Sequence, residues 1–427
     1  MDKLITFFTR LAFSQTAKDT YLVMIANVVS GFSGLVFTIL VARFLSVGEF
    51  GTFSSLINLS LILASLVDLG MTQGAVNFIP SLIIEKKDEK IRHYIGNMTG
   101  VILLAGLIAL IGLQLLPGSL VIKLGGTDNR LYLLITGLTV IAVSFYGYFI
   151  GVFQAFKKFL PLSLTEIIFT LSRIGFLGLL IFWGLTIDRA LATIILGALV
   201  SFLIVWRFWP HRGIKFNFSL TTLKKIFKFS RWLWLVNMII NVYGKLDVLF
   251  LTALTTNLVV AKYAAATRLA LVFPLTVNSL NAVIAPRFAS FSDKQANLSY
   301  VKKSGILSLA LAGGFLLWVV LAQPLVLMVY GWRYIESIGL FRGLVIANIP
   351  LLLTIPATNS LIYFFKKPNL ITIVSAMQLG VFAVLNGILI PHLSAQAPIY
   401  AFLVANLLGL GLIYILWFKW QFLRNER

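Results

Sequence analysis

In the stretch NVYGKLDVLFLTAL, Asn241 to Leu254, two charged side chains, Lys245 and Asp247, stand near the middle of an apolar run. A charge at mid-bilayer costs on the order of 3 kcal/mol on insertion scales, so both need water or partners. Five more charged residues lie within or near the ends of apolar runs: Asp68, Glu166, Arg173, Arg268 and Arg342. On a helix, Asn237, Asn241 and Lys245 recur every fourth residue and form one polar stripe, with Gly244 on the same face. Lys245 and Asp247 diverge by about 200° at 3.6 residues per turn, so they are not a self-contained ion pair. Four cations against three anions leave an excess of positive charge, which points to a hydrated cationic cavity. Arginine suits phosphate there, because its planar fork binds two oxygens at once. The structural alternative is a set of interhelical salt bridges, such as Asp247 with Arg173 or Arg268. Glu166 either binds a proton or cation or pairs with a neighbouring arginine. Asp68, ahead of Leu69, Gly70 and Met71, reads as a helix end or turn.

The elements that hold these groups follow from composition. Of 427 residues, 59% are hydrophobic and 11% charged, and the mean hydropathy is +0.96. A soluble chain carries roughly a quarter charged residues, so this is a membrane protein. A spanning helix needs about 20 apolar residues. Twelve runs qualify: 20–44, 50–79, 94–116, 131–153, 162–184, 190–209, 231–254, 259–285, 304–328, 339–362, 369–390 and 399–418. Gly70, Gly74, Pro274, Pro350 and Pro356 mark expected kinks or irregular turns. The net charge of +21 reflects topology rather than nucleic-acid binding, because Lys and Arg fall in short clusters between the runs. Alternate loops hold 25 of the 35 Lys and Arg on one side and 6 on the other, which predicts cytoplasmic termini. Residues 1–19 read as an amphipathic segment on the cytoplasmic surface.

Other features have plainer readings. Asn27, Gly31, Gly34 and Thr38 form a small-residue stripe suited to close helix packing. Trp206, Trp209, Trp417 and Trp420 are interface anchors. With no cysteine and three dispersed histidines (His93, His211 and His392), no metal site or cofactor is expected.

The chain also repeats itself. FKKFLPLSLTEI from Phe156 answers FKKPNLITIV from Phe365, and LSVGEFGTF from Leu45 answers LVVAKYAAA from Leu258, at nearly constant offset. The loops 80–93 and 286–303 occupy equivalent places. Two six-helix halves are therefore expected, 1–209 and 231–427, joined by a basic cytoplasmic linker over 210–230. The charged set does not follow the repeat, since Arg173 faces Phe382 and Arg342 faces Leu133; that asymmetry favours function over scaffold.

The first hairpin, LVARFLSVGEFGTFSSLINLSLILASLVDLGM (40–71), resembles that of bacterial lipid-linked oligosaccharide flippases. Arg43, Leu45, Gly48, Glu49, Phe50, Gly51, Asp68, Leu69 and Gly70 fill the matching places. The segment 246–273 with APRF at 285–288 resembles the opening of their second half, through Asp247, Tyr263, Ala266, Arg268 and Pro286; a usual glycine is Ala261 here. The resemblance is to the multidrug/oligosaccharidyl-lipid/polysaccharide exporter superfamily, and it implies an all-α membrane fold of twelve helices in two lobes around a central cavity. It further implies alternating access and an undecaprenyl-pyrophosphate-linked glycan as cargo, moved between leaflets of the bacterial inner membrane for O-antigen, capsule or exopolysaccharide synthesis. Arg173, Lys245, Arg268 and Arg342, with Asn237 and Asn241, would line the cationic cavity. Asp68, Glu166 and Asp247 would be coupling groups, for protons or sodium, or ion-pair partners. Polymerase or ligase machinery is an implied partner.

The rival within the superfamily is a cation-coupled drug or metabolite antiporter. The peptidoglycan-precursor flippase resembles this family too but typically has fourteen spans, and the twelve here count against it. A transporter of the major facilitator type would carry a Gly-rich Asp-Arg signature, absent from EKKDEKIRHY (85–94). An enzyme such as a glycosyltransferase, polymerase or ligase would need catalytic carboxylates in a sizeable outer loop, and the longest outer loop, near 117–130, carries the lone Asp128. No Gly-Lys-Ser/Thr phosphate loop is present, which argues against an ATPase.

Overall fold

The protein, seen here as a computed structural model, is described over residues 15–209 and 219–423. The expected amphipathic segment 1–19 lies largely outside the described residues, as does 210–218 of the expected linker. Everything regular among the described residues is helical, as an apolar chain in lipid demands, because each helix satisfies its own backbone polar groups. Ten stretches there are long and apolar enough to cross a bilayer, or eleven with one broken pair. One of the ten, Pro368–Leu423, contains two helices that pack on each other across a single 3₁₀ turn at Ser394–Gln396.

Contacts divide the chain into two compact units, Met1–Lys245 and Leu246–Arg427. The first contains α1 (Gln15–Phe44), α2 (Val47–Val67), α3 (Met71–Ile84), α4 (Asp88–Leu115) and a short α5 (Gly118–Gly125). It continues through α6 (Arg130–Ala155), α7 (Phe159–Phe182), α8 (Ile187–Val205) and α9 (Leu220–Tyr243). Helix α6 is its hub and packs on α2, α3, α4 and α8. Gly137 lets α4 approach closely, since a Cβ there would overlap a methyl of Leu110.

The second unit contains α10 (Leu246–Leu254), α11 (Asn257–Leu269), α12 (Val272–Ala289), α13 (Lys294–Tyr330), α14 (Ser337–Asn359), α15 (Pro368–Leu393) and α16 (Ala397–Phe418). Helix α14 is the hub here and touches α11, α12, α13 and α16.

Several boundaries differ from expectation: the runs 50–79 and 259–285 are each two helices, α2 with α3 and α11 with α12. The helix expected from residue 231 begins at Leu220, so Lys224, Lys225, Lys228 and Arg231 ride on α9 instead of in a linker. The run 231–254 is two helices rather than one, broken at Gly244 and Lys245. Glycine is a poor helix former, and the restart puts Asp247 in the first turn of α10, where the helix dipole favours an anion.

The repeated Phe-Lys-Lys turns have a common shape. Lys157 has φ 55° and Lys366 has φ 55°, the left-handed region usually left to glycine. The amides of Lys157 and Lys158 bond to Gln154 O and Phe153 O at 3.0 and 2.9 Å, closing a Schellman turn. Lys86, at φ 53°, closes α3 in the same way, with Lys87 N bonded to Leu82 O at 3.0 Å.

Candidate functional site

The motif LSVGEF starts α2 with a capping box. Ser46 Oγ accepts from Glu49 N at 3.3 Å, and Glu49 Oε2 accepts from Ser46 N at 2.9 Å. This helix ends at Val67, and the chain turns through Leu69 (φ 45°) and Gly70 (φ 79°) before α3 begins. Asp68 holds the turn: its carboxylate accepts from the amides of Gly70 (3.1 Å) and Thr72 (3.2 Å) and from the Thr72 hydroxyl. Only glycine suits position 70, because a Cβ would stand 2.6 Å from Ser230 Oγ on α9. Helix α9 docks on this break, and Trp234 Nε1 donates at 2.9 Å to Ser65 O, one of the carbonyls left without an intrahelical donor at the end of α2.

The result is a polar pocket of about 380 Å³ inside the first unit, lined among others by Asp68, Thr72, Gln73, Asn237, Asn241 and Lys245. The sequence stripe is real: Asn241 Nδ2 donates to Asn237 O at 2.9 Å, and Lys245 Nζ to Asn241 O at 3.3 Å. Lys245 therefore sits on the carbonyl end of α9, where the dipole favours a cation. That placement answers how the chain carries this ammonium. Gln73 Oε1 is buried with no hydrogen-bond donor among the described residues.

Arg173 does not line this pocket. Its guanidinium lies 4.2 Å from the Phe37 ring centre and 5.3 Å from that of Phe169, a stacked cation–π arrangement where α7 meets α1. Gly34 and Gly197 leave room around it. Two turns back along α7, Glu166 Oε2 is buried and unpartnered among the described residues.

In the second unit, Asp247 is 5% exposed and accepts from the Tyr263 hydroxyl at 2.7 Å and from its neighbour's amide, Val248 N, at 2.8 Å. Arg268 lies within electrostatic reach of Asp247 and of Tyr330. The resemblance residues Asp247, Tyr263 and Arg268 thus form one cluster. Arg342 donates from Nε to Val319 O at 3.0 Å, reaching the backbone of α13. Sequence reasoning missed an ion pair at the start of α14: Lys262 Nζ lies 2.6 Å from Glu336 Oε1, while Ser337 Oγ donates to Lys262 O at 2.8 Å. Seventy-four residues separate Lys262 from Glu336, and no local pattern announces the pair.

The arrangement offers electrostatic and hydrogen-bonding recognition within an apolar helical shell. A family model described as "Polysaccharide biosynthesis protein" matches residues 16–292. Among solved structures, lipid II flippase MurJ in an inward closed conformation matches with TM-score 0.72 at 14% identity, covering 92% of this chain and 86% of that one. An inward-facing multidrug resistance MATE family transporter of the MOP superfamily matches with TM-score 0.69 at 14% identity, over 92% and 94% of the two chains. The MATE multidrug transporter DinF-BH matches with TM-score 0.62 at 16% identity, over 95% of each chain. No curated protein sequence matches. At these identities the structural likeness speaks for the fold, a multi-pass membrane transporter architecture shared by flippases and exporters.

Proposed function

This chain belongs to the polysaccharide biosynthesis protein family, and from that premise we propose that it is a flippase. Its cargo is an undecaprenyl-pyrophosphate-linked oligosaccharide, moved from the inner to the outer leaflet of the bacterial cytoplasmic membrane, for surface polysaccharide synthesis. The site is exposed to the two sides in turn, and the cargo undergoes no covalent change. The bias of Lys and Arg, 25 against 6, supports an orientation with cytoplasmic termini.

The observation that carries this reading is the polar pocket of about 380 Å³ with Lys245 at its edge. A glycan crossing lipid loses its hydrogen bonds to water and needs replacements. With a water's share of liquid volume at about 30 Å³, the pocket holds about a dozen water-sized groups, the bulk of one sugar ring. Gln73 Oε1 is an acceptor for a sugar hydroxyl, Asn237 and Asn241 can donate or accept, and Lys245 meets phosphate. Within the second unit, Arg268 and Arg342 are the candidate cations for phosphate. Arg173 is a lesser contact, since aromatic rings already occupy its faces.

The test uses the protein in vesicles with a fluorescent lipid-linked oligosaccharide on one leaflet. Wild type moves it across chemically unchanged, and Lys245→Gln together with Arg268→Gln abolishes movement while both proteins stay in the membrane. Normal movement in that double variant overturns the assignment, and chain growth or transfer of the glycan would make the protein an enzyme. A cation-coupled antiporter is the second reading, favoured by the buried, unpartnered Glu166 oxygen. It predicts drug or metabolite efflux driven by a proton or sodium gradient and lost in Glu166→Gln.

A further inference from the structure

A second cavity, of about 550 Å³, is lined entirely by residues of the first unit and is almost wholly apolar. It runs along α6 and α8 and opens at the surface between Leu138, Leu199 and Trp206, each 40–50% exposed. One end is aromatic. Phe149 lies 4.7 Å from Phe202 and 4.9 Å from Trp209, and Trp209 stacks on Trp206 at 5.8 Å and 10°.

That end is also where charge gathers. Lys158 donates from Nζ to Phe208 O at 3.3 Å, tying its ammonium to the 3₁₀ turn between the two tryptophans. Arg207 is exposed in the same turn. Trp209 is 7% exposed, yet its Nε1–H is buried with no acceptor among the described residues. A buried indole N–H without a partner costs free energy, and Trp and Tyr usually find a hydrogen-bond partner when buried. At the opposite polarity the cavity has little to offer, because Ser201 Oγ is already bonded to Thr165 O at 2.9 Å.

We propose that this groove binds one acyl chain of an anionic glycerophospholipid, with the lipid phosphate held by Trp209 Nε1 and Lys158. Size selects the chain. If a methylene is about the size of a water, about 30 Å³, then 550 Å³ takes roughly 18 of them, the length of one fatty acyl chain. A 55-carbon polyprenyl chain needs about three times that room by the same measure. Charge selects the headgroup, since the indole N–H and the donors the ammonium keeps beyond its bond to Phe208 O call for an anion. Lipid retention is measured without any glycan, so its failure would leave the transport reading intact.

The experiment is native mass spectrometry of the whole protein in detergent, titrated with dioleoyl phosphatidylglycerol or dioleoyl phosphatidylcholine. Wild type is expected to hold one phosphatidylglycerol about tenfold more tightly than phosphatidylcholine, from one charge-assisted contact. Trp209→Phe keeps the ring and Lys158→Gln keeps the stem, so both fold, and each reduces that preference. Ala198→Trp fills the groove and abolishes binding of either lipid. Equal retention of the two lipids by wild type, or an unchanged preference in both conservative variants, overturns the headgroup assignment. Phosphatidylglycerol retained at full strength by a folded Ala198→Trp overturns the groove. Displacement of phosphatidylglycerol by undecaprenyl phosphate at equal concentration overturns the acyl occupant.

Discussion

Removing the Tyr263 hydroxyl tests the buried cluster of the second unit. Tyr263 is fully buried and Asp247 nearly so, and the hydroxyl donates to Asp247 Oδ2 at 2.7 Å. In Tyr263→Phe the ring keeps its packing, while Asp247 Oδ2 loses this donor in a site that water does not reach. A hydrogen bond to a charged group contributes about 1.5–3 kcal/mol, so a loss of about 2 kcal/mol is expected. Tyr414→Phe serves as the control, since that hydroxyl donates at 3.1 Å to a neutral carbonyl, Leu353 O; about 1 kcal/mol is expected there. The assay is SDS-induced unfolding in mixed micelles, followed by circular dichroism. A double-mutant cycle with Asp247→Asn isolates the pair, and the double variant should cost about 1 kcal/mol less than the sum of the singles. An additive cycle, or a Tyr263→Phe protein as stable as wild type, refutes the view that this hydroxyl keeps the carboxylate tolerable.

Gly70→Ala should destabilise the first unit by about 2 kcal/mol or more, because alanine is strained at φ 79° and its Cβ meets Ser230; unfolding midpoints check it. Lys157→Gly should instead stabilise by about 1 kcal/mol, since glycine takes φ 55° without penalty. Glu336→Gln should cost only about 0.5 kcal/mol, and the loss should shrink as salt rises, because Glu336 is 67% exposed in its pair with Lys262. Lys245→Gln alone should slow glycan movement at least tenfold in the vesicle assay, given one charge-assisted contact to phosphate.

Several of these features are legible in the residues themselves. Asn237, Asn241 and Lys245 share a face because a spacing of four is geometry, and the fold sets them in a bonded series lining one pocket. Asp68 is legible as a turn residue because Asp-Leu-Gly combines an acceptor with a residue free to take positive φ. The break after Gly244 is not legible, since the apolar run continues through it and hydropathy does not register two helices laid end to end. The partners of Asp247 and Arg173 are only half visible. Phe169 sits four residues before Arg173, but Phe37 arrives from another helix, as Tyr263 does for Asp247. The left-handed lysines are invisible, because nothing in Phe-Lys-Lys distinguishes a strained turn from a relaxed one.

Those lysines have a mechanical consequence. A cation on a flexible linker can follow the lipid phosphates up or down as the bilayer swells or thins. Lys86 and Lys157 stand instead on stiff Schellman ends, so the level of each ammonium is tied to its helix, give or take the reach of a four-carbon stem. A thinner membrane must then be met by leaning the helices over. Swapping either lysine for glycine would relax the backbone and remove that fixed ammonium.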